Sequence, residues 1–205
     1  MYFPKFSVLR WDGKQLAEVQ LAQLPESVPA ELRSLNNRAV ELAKAGLWKE
    51  AEPLIDQALA LNASSDHSVA WNADLIKLQA KALRNEIKQQ TYPLLNNLFY
   101  GDYPAVLEMM RVYSPQQLFS FDTPLIKDTL AQGHETALIQ WITATTNLAL
   151  KLEPDLAAAY FLRGWGQYLS APNRVAAIAD IEKAAQLAPN ETLFSQSAVY
   201  LKQLP

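Results

Sequence analysis

Residues 157–189 read AAAYFLRGWGQYLSAPNRVAAIADIEKAAQLAP, and this stretch decides the fold of the chain. Apolar residues recur along it at intervals of three and four, which predicts two helices joined by a short loop. Gly164 and Ala177 are small where two such helices approach each other, and Ile181 fills the space beside them. Pro189 ends the second helix, because the residue before a proline is disfavoured in the helical conformation. The stretch therefore predicts a closely packed helical hairpin.

The same pattern recurs nearer the N-terminus. Residues 33–63 carry small and apolar residues in matching order, with Gly46 at the left-handed position that commonly follows a helix. Residues 149–154 match the end of another second helix and run directly into the hairpin above. Pro53 departs from the pattern, since a proline beyond the first turn removes a hydrogen bond and bends a helix. A hairpin that recurs along a chain is the signature of a repeat architecture.

On these residues the chain resembles the tetratricopeptide repeat (TPR) family, whose repeat of about 34 residues pairs two helices. In the C-terminal copy the matching residues are Tyr160, Arg163, Gly164, Ala177, Ile178, Ala184, Leu187 and Pro189. The resemblance implies an all-α solenoid of antiparallel helix hairpins, with a concave face that binds peptides or partner proteins. It implies a helical domain over 29–205 that ends in a polar capping helix over 191–204. The apolar middle of this domain, 64–133, diverges from the repeat.

Residues 1–28 form an N-terminal arm of different character. Asp12-Gly13 lies between two mixed apolar runs, which is typical of a β-hairpin, whereas a helix that starts within 14–21 is the alternative. From Pro29 onward the period is helical, and we expect helices over 30–45, 48–61, 66–89, 92–100, 103–113, 134–152, 156–169, 174–187 and 191–204.

Composition and charge exclude several classes of protein. The 205 residues include no cysteine, two histidines and six glycines, and the net charge is −3. No catalytic or phosphate-binding motif is present, so we expect a non-enzymatic protein without a metal or another cofactor. The net negative charge argues against nucleic acid as a partner. With neither a signal peptide nor a transmembrane run, we expect a cytoplasmic protein, or one attached peripherally to a membrane complex.

The TPR resemblance also identifies candidate partner-binding residues, because the first helix of each repeat lines the concave face. In the last repeat these residues are Phe161, Trp165 and Tyr168, and in the first repeat they include Asn36 and Val40. The aromatic lining has two interpretations. It binds an apolar helix or an extended segment of a partner, or the chain's own apolar stretch over 91–126 fills it.

A second candidate surface lies on the helix predicted over 66–89. Its basic residues recur at spacings of four, three and four: Lys77, Lys81, Arg84 and Lys88. We expect this face to lie opposite an apolar stripe formed by Leu75, Leu78 and Ala82. It either receives an acidic partner segment or a phosphate group, or it is an ordinary solvated helix face.

These patterns favour a protein–protein interaction scaffold or assembly adaptor that binds a partner through a helical-repeat groove or an apolar surface. Two alternatives remain open at the level of sequence. The chain is a stable accessory subunit of a larger complex, or it binds a small molecule, as a carrier or an enzyme, in a pocket between the middle helices and the repeat helices.

Overall fold

The structure is a computed structural model that describes residues 7–62, 67–89, 92–170 and 174–204, with the side chains of 86–89 left aside. Within these ranges it contains ten helices and one two-stranded antiparallel sheet. The predicted predominance of helix is therefore confirmed. None of the described helices is both long and apolar enough to cross a bilayer.

The nine predicted helices occur in the predicted order, with bounds that agree to within three residues, and the structure adds a short helix over Pro115–Leu118 that was not among them. The strands are β1 (Leu9–Trp11) and β2 (Leu16–Glu18). The helices are α1 (Ala30–Lys44), α2 (Trp48–Leu61), α3 (His67–Gln89), α4 (Pro93–Tyr100), α5 (Tyr103–Met110), α6 (Pro115–Leu118), α7 (Glu135–Leu152), α8 (Ala157–Leu169), α9 (Arg174–Leu187) and α10 (Thr192–Lys202).

The described chain separates into two compact units, with the division between Gly101 and Asp102. In the first unit, α2 packs against α1 and α3, and α3 packs against α4. In the second unit, α8 packs against α7 and α9, while α10 packs against α9 and α6. The division falls inside the domain predicted over 29–205, and the described part of the N-terminal arm belongs to the first unit.

The N-terminal arm forms the hairpin, which excludes the helical alternative. β1 pairs with β2 in antiparallel register. The Asp12 carboxylate accepts hydrogen bonds from the main-chain N–H groups of Lys14 and Gln15, both at 2.9 Å. Gly13 has a φ of +101°, a conformation that side chains other than glycine rarely adopt. The Asp-Gly pair therefore turns the chain as its sequence predicts.

Glycine permits a close helix contact in the second unit. A Cβ atom built on Gly164 would lie 2.9 Å from the Ala177 main-chain oxygen and 2.9 Å from Ile181 Cδ1. These are the residues between which the sequence predicts a close approach, and that prediction is confirmed. In the first unit Gly101 ends α4 at a φ of +78°, and a Cβ there would lie 2.6 Å from the Gly46 oxygen.

The prediction for the apolar stripe of α3 is wrong. Leu78 is 41% exposed, whereas the helix buries a different row of residues: Val69, Ala73, Ile76, Ala80 and Leu83. The physical reason is that α3 packs against both α2 and α4, and alanines let neighbouring helices approach closely. The large side chains of Leu75 and Leu78 suggested that their face of α3 is packed, whereas the packed face carries the small residues Ala73 and Ala80.

Candidate protein-interaction site

A cluster of three asparagines lies in the first unit, where α1 and α3 face the chain that follows the hairpin. α1 carries Asn36 and Asn37, and α3 carries Asn72. Asn36 is fully buried and Asn72 is 1% exposed. Buried amides are costly unless they are hydrogen-bonded, and these are. Asn72 Nδ2 donates to Asn36 Oδ1 at 2.9 Å, and Asn36 Nδ2 donates to Asn37 Oδ1 at 3.1 Å.

Two of these side chains bind the main chain of residues 22 and 24. Asn72 Oδ1 accepts from the Ala22 N–H at 3.0 Å, and Asn72 Nδ2 donates to the Ala22 carbonyl at 2.7 Å. Asn37 Oδ1 accepts from the Leu24 N–H at 2.7 Å, and Asn37 Nδ2 donates to the Leu24 carbonyl at 3.2 Å. Each amide thus satisfies both main-chain groups of a single residue.

This pattern is the one that a neighbouring strand would provide. In an extended chain, the N–H and C=O groups of residues i and i+2 point to the same edge, and a paired strand exchanges both bonds with one residue. Ala22 and Leu24 are two residues apart, and their main-chain groups meet Asn72 and Asn37 in the same way. Asn37 and Asn72, together with Asn36, form a surface that we call the asparagine face, and it binds residues 22 and 24 of this chain through their main-chain groups.

Side chains of the bound segment add an apolar component. Val19 and Leu24 are each 5% exposed, whereas Ala22 and Gln23 are exposed to solvent. The Gln23 amide donates to Glu41 at 3.2 Å across the exposed edge of the contact. Along the six-residue segment 19–24, Val19 and Leu24 are thus buried and Leu21 is half-buried, while the remaining residues are exposed.

The structure places the predicted residues of the first repeat at this face or beside it. Asn36 joins the asparagine cluster and contacts the Ala22 carbonyl at 3.5 Å, while Val40 is fully buried one turn further along α1. The sequence analysis did not identify Asn37 and Asn72. The signal that would have found Asn72 is its spacing of 36 residues from Asn36, close to the length of one repeat.

The aromatic candidates lie in the second unit and are buried. Phe161 and Trp165 are fully buried, and Tyr168 is 7% exposed. Trp165 Nε1 donates to the Leu118 carbonyl at 2.9 Å. Phe119 meets Phe161 and Tyr168 edge-on, with ring centroids 6.3 and 5.2 Å apart. These contacts agree with the second interpretation of the aromatic lining, in which the chain's own stretch over 91–126 covers it.

The basic candidates on α3 face acidic residues of α2. Lys77 Nζ lies 2.7 Å from Asp56 Oδ1, and Arg84 forms an ion pair with Glu52. Tyr100 also donates to Glu52, at 3.4 Å. Burial and then the Glu52 charge raise the pKa of the Tyr100 hydroxyl.

The other two basic candidates on α3 are Lys81 and Lys88. Lys81 is exposed, and the side chain of Lys88 lies outside the described residues. Two of the four predicted basic residues therefore already hold acidic partners within the chain.

Two pockets of the second unit differ in their linings: one of about 640 Å³ on α7 and α8 includes Glu135, Thr143 and Asn147, and one of about 410 Å³ lies between α6 and α10. No group of three or more His, Asp and Glu side chains in the described part of the chain is arranged to hold a metal ion. The pocket between α6 and α10 is lined only by uncharged residues: Pro115, Gln116, Ser195, Gln196, Val199, Tyr200 and Gln203. Such a lining offers hydrogen bonds but no acid–base pair.

The chain matches no protein-family model, and comparison with curated proteins and with solved structures finds no match.

Proposed function

We propose that this protein is a non-enzymatic interaction scaffold of the TPR type, and that it binds an extended segment of a partner protein on the face formed by Asn37 and Asn72. The observation that carries the proposal is the pair of asparagine side chains that each hold both main-chain groups of one residue. That arrangement suits a polypeptide backbone, because it meets the N–H and C=O groups of alternate residues.

Features of the helices support the repeat architecture in this proposal. Gly164 permits the close hairpin contact that the TPR pattern requires, and Gly101 packs on the turn at Gly46. The short connection between α1 and α2 makes them an antiparallel pair, which is the unit of a helical repeat. In such repeats partner proteins are bound in a groove, and the asparagine face, which residues 22 and 24 cover in this structure, supplies the chemistry for one.

The experiment measures binding of a fluorescent peptide by polarisation. The peptide carries residues 17–26 of this chain, and the receptor is the full-length Ala22→Pro variant, which lacks the N–H donated to Asn72. We expect saturable binding that weakens about tenfold or more when Asn37→Ala is added. Asn37→Ala removes two hydrogen bonds of about 1 kcal/mol each, and every loss of about 1.4 kcal/mol in binding free energy raises Kd tenfold.

The matched control is Ser34→Ala, which truncates an exposed residue on α1 and leaves the asparagine face intact. Added to the same receptor, it is expected to leave the affinity unchanged. A receptor that binds no peptide, or one that binds equally well with and without Asn37, would overturn the proposed function.

A further inference from the structure

The asparagine face is occupied in this structure by the protein's own chain. Residues 19–24 follow β2, and the Val19 N–H still donates to the Val8 carbonyl at 2.7 Å, which continues the hairpin ladder. The segment then leaves the hairpin and contacts Asn72 through residue 22 and Asn37 through residue 24. The face therefore already holds this chain through the main-chain groups of residues 22 and 24.

We propose that residues 19–24 are an internal mimic of the partner's segment, and that the partner binds by displacing them. This inference rests on the proposed function. It adds the side-chain pattern of the ligand, and it adds that residues 19–24 regulate access to the site. The ligand is an extended segment with apolar side chains at its first and sixth positions, as at Val19 and Leu24. Small or polar side chains at its fourth and fifth positions stay in solvent, as those of Ala22 and Gln23 do.

The attachment of the arm favours displacement. Its hairpin buries little, since Leu9, Trp11 and Leu16 are 56%, 65% and 63% exposed. Segments with few buried apolar contacts open at low free-energy cost. The link to α1 is an exposed turn, in which the Val28 N–H donates to the Pro25 carbonyl at 3.1 Å. Among the described residues, a partner competes with the asparagine contacts to residues 22 and 24, the Gln23–Glu41 hydrogen bond, the Arg10–Trp71 ring contact and the burial of Val19 and Leu24.

The test compares the wild-type chain with the Ala22→Pro variant as receptors for the peptide of residues 17–26. Proline at 22 removes the N–H group that donates to Asn72 and places ring atoms against the Asn72 oxygen, which weakens the hold of the arm on the asparagine face. We expect the variant to bind the peptide at least tenfold more tightly than the wild type. Equal and measurable binding by both receptors would overturn this inference and leave the proposed function standing. Absence of binding by both would overturn the proposed function itself.

The matched control is Glu26→Pro, which adds a proline to the same arm outside the bound segment. Glu26 is exposed and occupies the second position of the turn that Pro25 begins, where proline is favoured. The Glu26→Pro variant is expected to bind the peptide with the same affinity as the wild type. Affinity that rises as much as in Ala22→Pro would mean that arm stiffness, and not release from Asn72, governs binding, and this would overturn the inference.

A covalent lock tests the same competition without weakening the fold. The chain has no cysteine, so Gln23→Cys with Glu41→Cys creates two thiols at side chains that hydrogen-bond across the contact. A short bis-maleimide then ties the arm to α1. We expect peptide affinity to fall at least tenfold on cross-linking. Unchanged affinity after complete cross-linking would overturn the inference even if Ala22→Pro failed to fold.

The ligand pattern is tested in the peptide. Leu24→Asp places a charge where the arm buries an apolar side chain and is expected to abolish binding to Ala22→Pro. Gln20→Ala changes an exposed position and is expected to bind within about twofold of the parent peptide. Equal loss from both peptides, or from neither, would contradict the assigned pattern.

Discussion

At the scale of single residues, two glycines of α8 differ in what surrounds them. A Cβ on Gly164 would lie 2.9 Å from the Ala177 main-chain oxygen, and backbone cannot move aside as a flexible side chain does. A Cβ on Gly166 would meet Ile142 Cγ2 at 3.5 Å, which is ordinary van der Waals contact. The contact between α8 and α9 therefore requires glycine at 164. Gly166 has room for a methyl group, and glycine there only lowers the stability of the helix relative to alanine.

The two glycines therefore predict opposite effects on stability. Gly164→Ala is expected to lower the free energy of unfolding by about 1–3 kcal/mol, because overpacking pushes α8 from α9. Gly166→Ala is expected to raise it by about 0.5–1 kcal/mol, because alanine is favoured over glycine within a helix. Urea unfolding followed by circular dichroism measures both. Equal shifts of the same sign would contradict the assignment of Gly164 to the helix contact.

At the scale of elements, an ion pair joins the end of α5 to the start of α10 in the second unit. Arg111 follows α5 and forms ion pairs with Glu108 and Glu191. Glu191 is the N-cap of α10 and accepts a hydrogen bond from the Leu193 N–H at 3.2 Å. The hydrogen bonds from Arg111 hold the pKa of the Glu191 carboxyl below its usual range.

This pair predicts a dependence of stability on pH. A carboxyl whose pKa is lower in the folded state stabilises the fold above its unfolded pKa, which is about 4.3. The contribution is lost as pH falls through the folded value. We expect Glu191→Gln, which keeps a cap oxygen, to lower Tm at pH 7, and the deficit to shrink as pH falls below about 4. Asp155→Asn, at an exposed carboxylate, is the control, and an unchanged deficit at low pH would count against the pair.

At the scale of the whole molecule, charge is distributed so that basic groups are balanced within the chain. The net charge is −3, and the lysine and arginine of α3 nearest to α2 pair with Asp56 and Glu52. Nucleic-acid binding by backbone contacts needs several cations that face the phosphates. A protein partner recognised through its main chain needs no such surface.

The charge balance predicts that the protein does not bind nucleic acid. We expect no saturable binding of a labelled 20-base-pair duplex at protein concentrations up to about 300 µM in 150 mM salt, where non-specific binders have Kd values of about 1–100 µM. Polarisation measures this, with the peptide of residues 17–26 as the positive control on Ala22→Pro. Saturable binding of the duplex that weakens as salt is raised would contradict the prediction.

Residues 91–126, in the apolar middle of the chain, have packing partners that the local sequence pattern does not predict. The composition of 91–126 indicates that it packs inward or meets a partner, and the sequence alone does not choose. In the structure α4 is almost wholly buried in the first unit, and Leu118 and Phe119 cover the aromatic residues of α8 in the second. Val112 and Phe121 of this stretch are exposed. Which residues cover which is decided by long-range contacts that periodicity does not encode.

Sequence by itself determined the nine longer helical segments and the close contact at Gly164, because these depend on local period and side-chain size, whereas at Asp12-Gly13 it was the structure that distinguished the hairpin from a helix. Only the tertiary structure revealed the asparagine face. Asn37 and Asn72 lie on separate helices and meet the same segment, 19–24, across 13 and 50 residues of sequence. Hydrogen bonds of that range depend on how helices pack, so the chain's candidate function became visible only in the folded molecule.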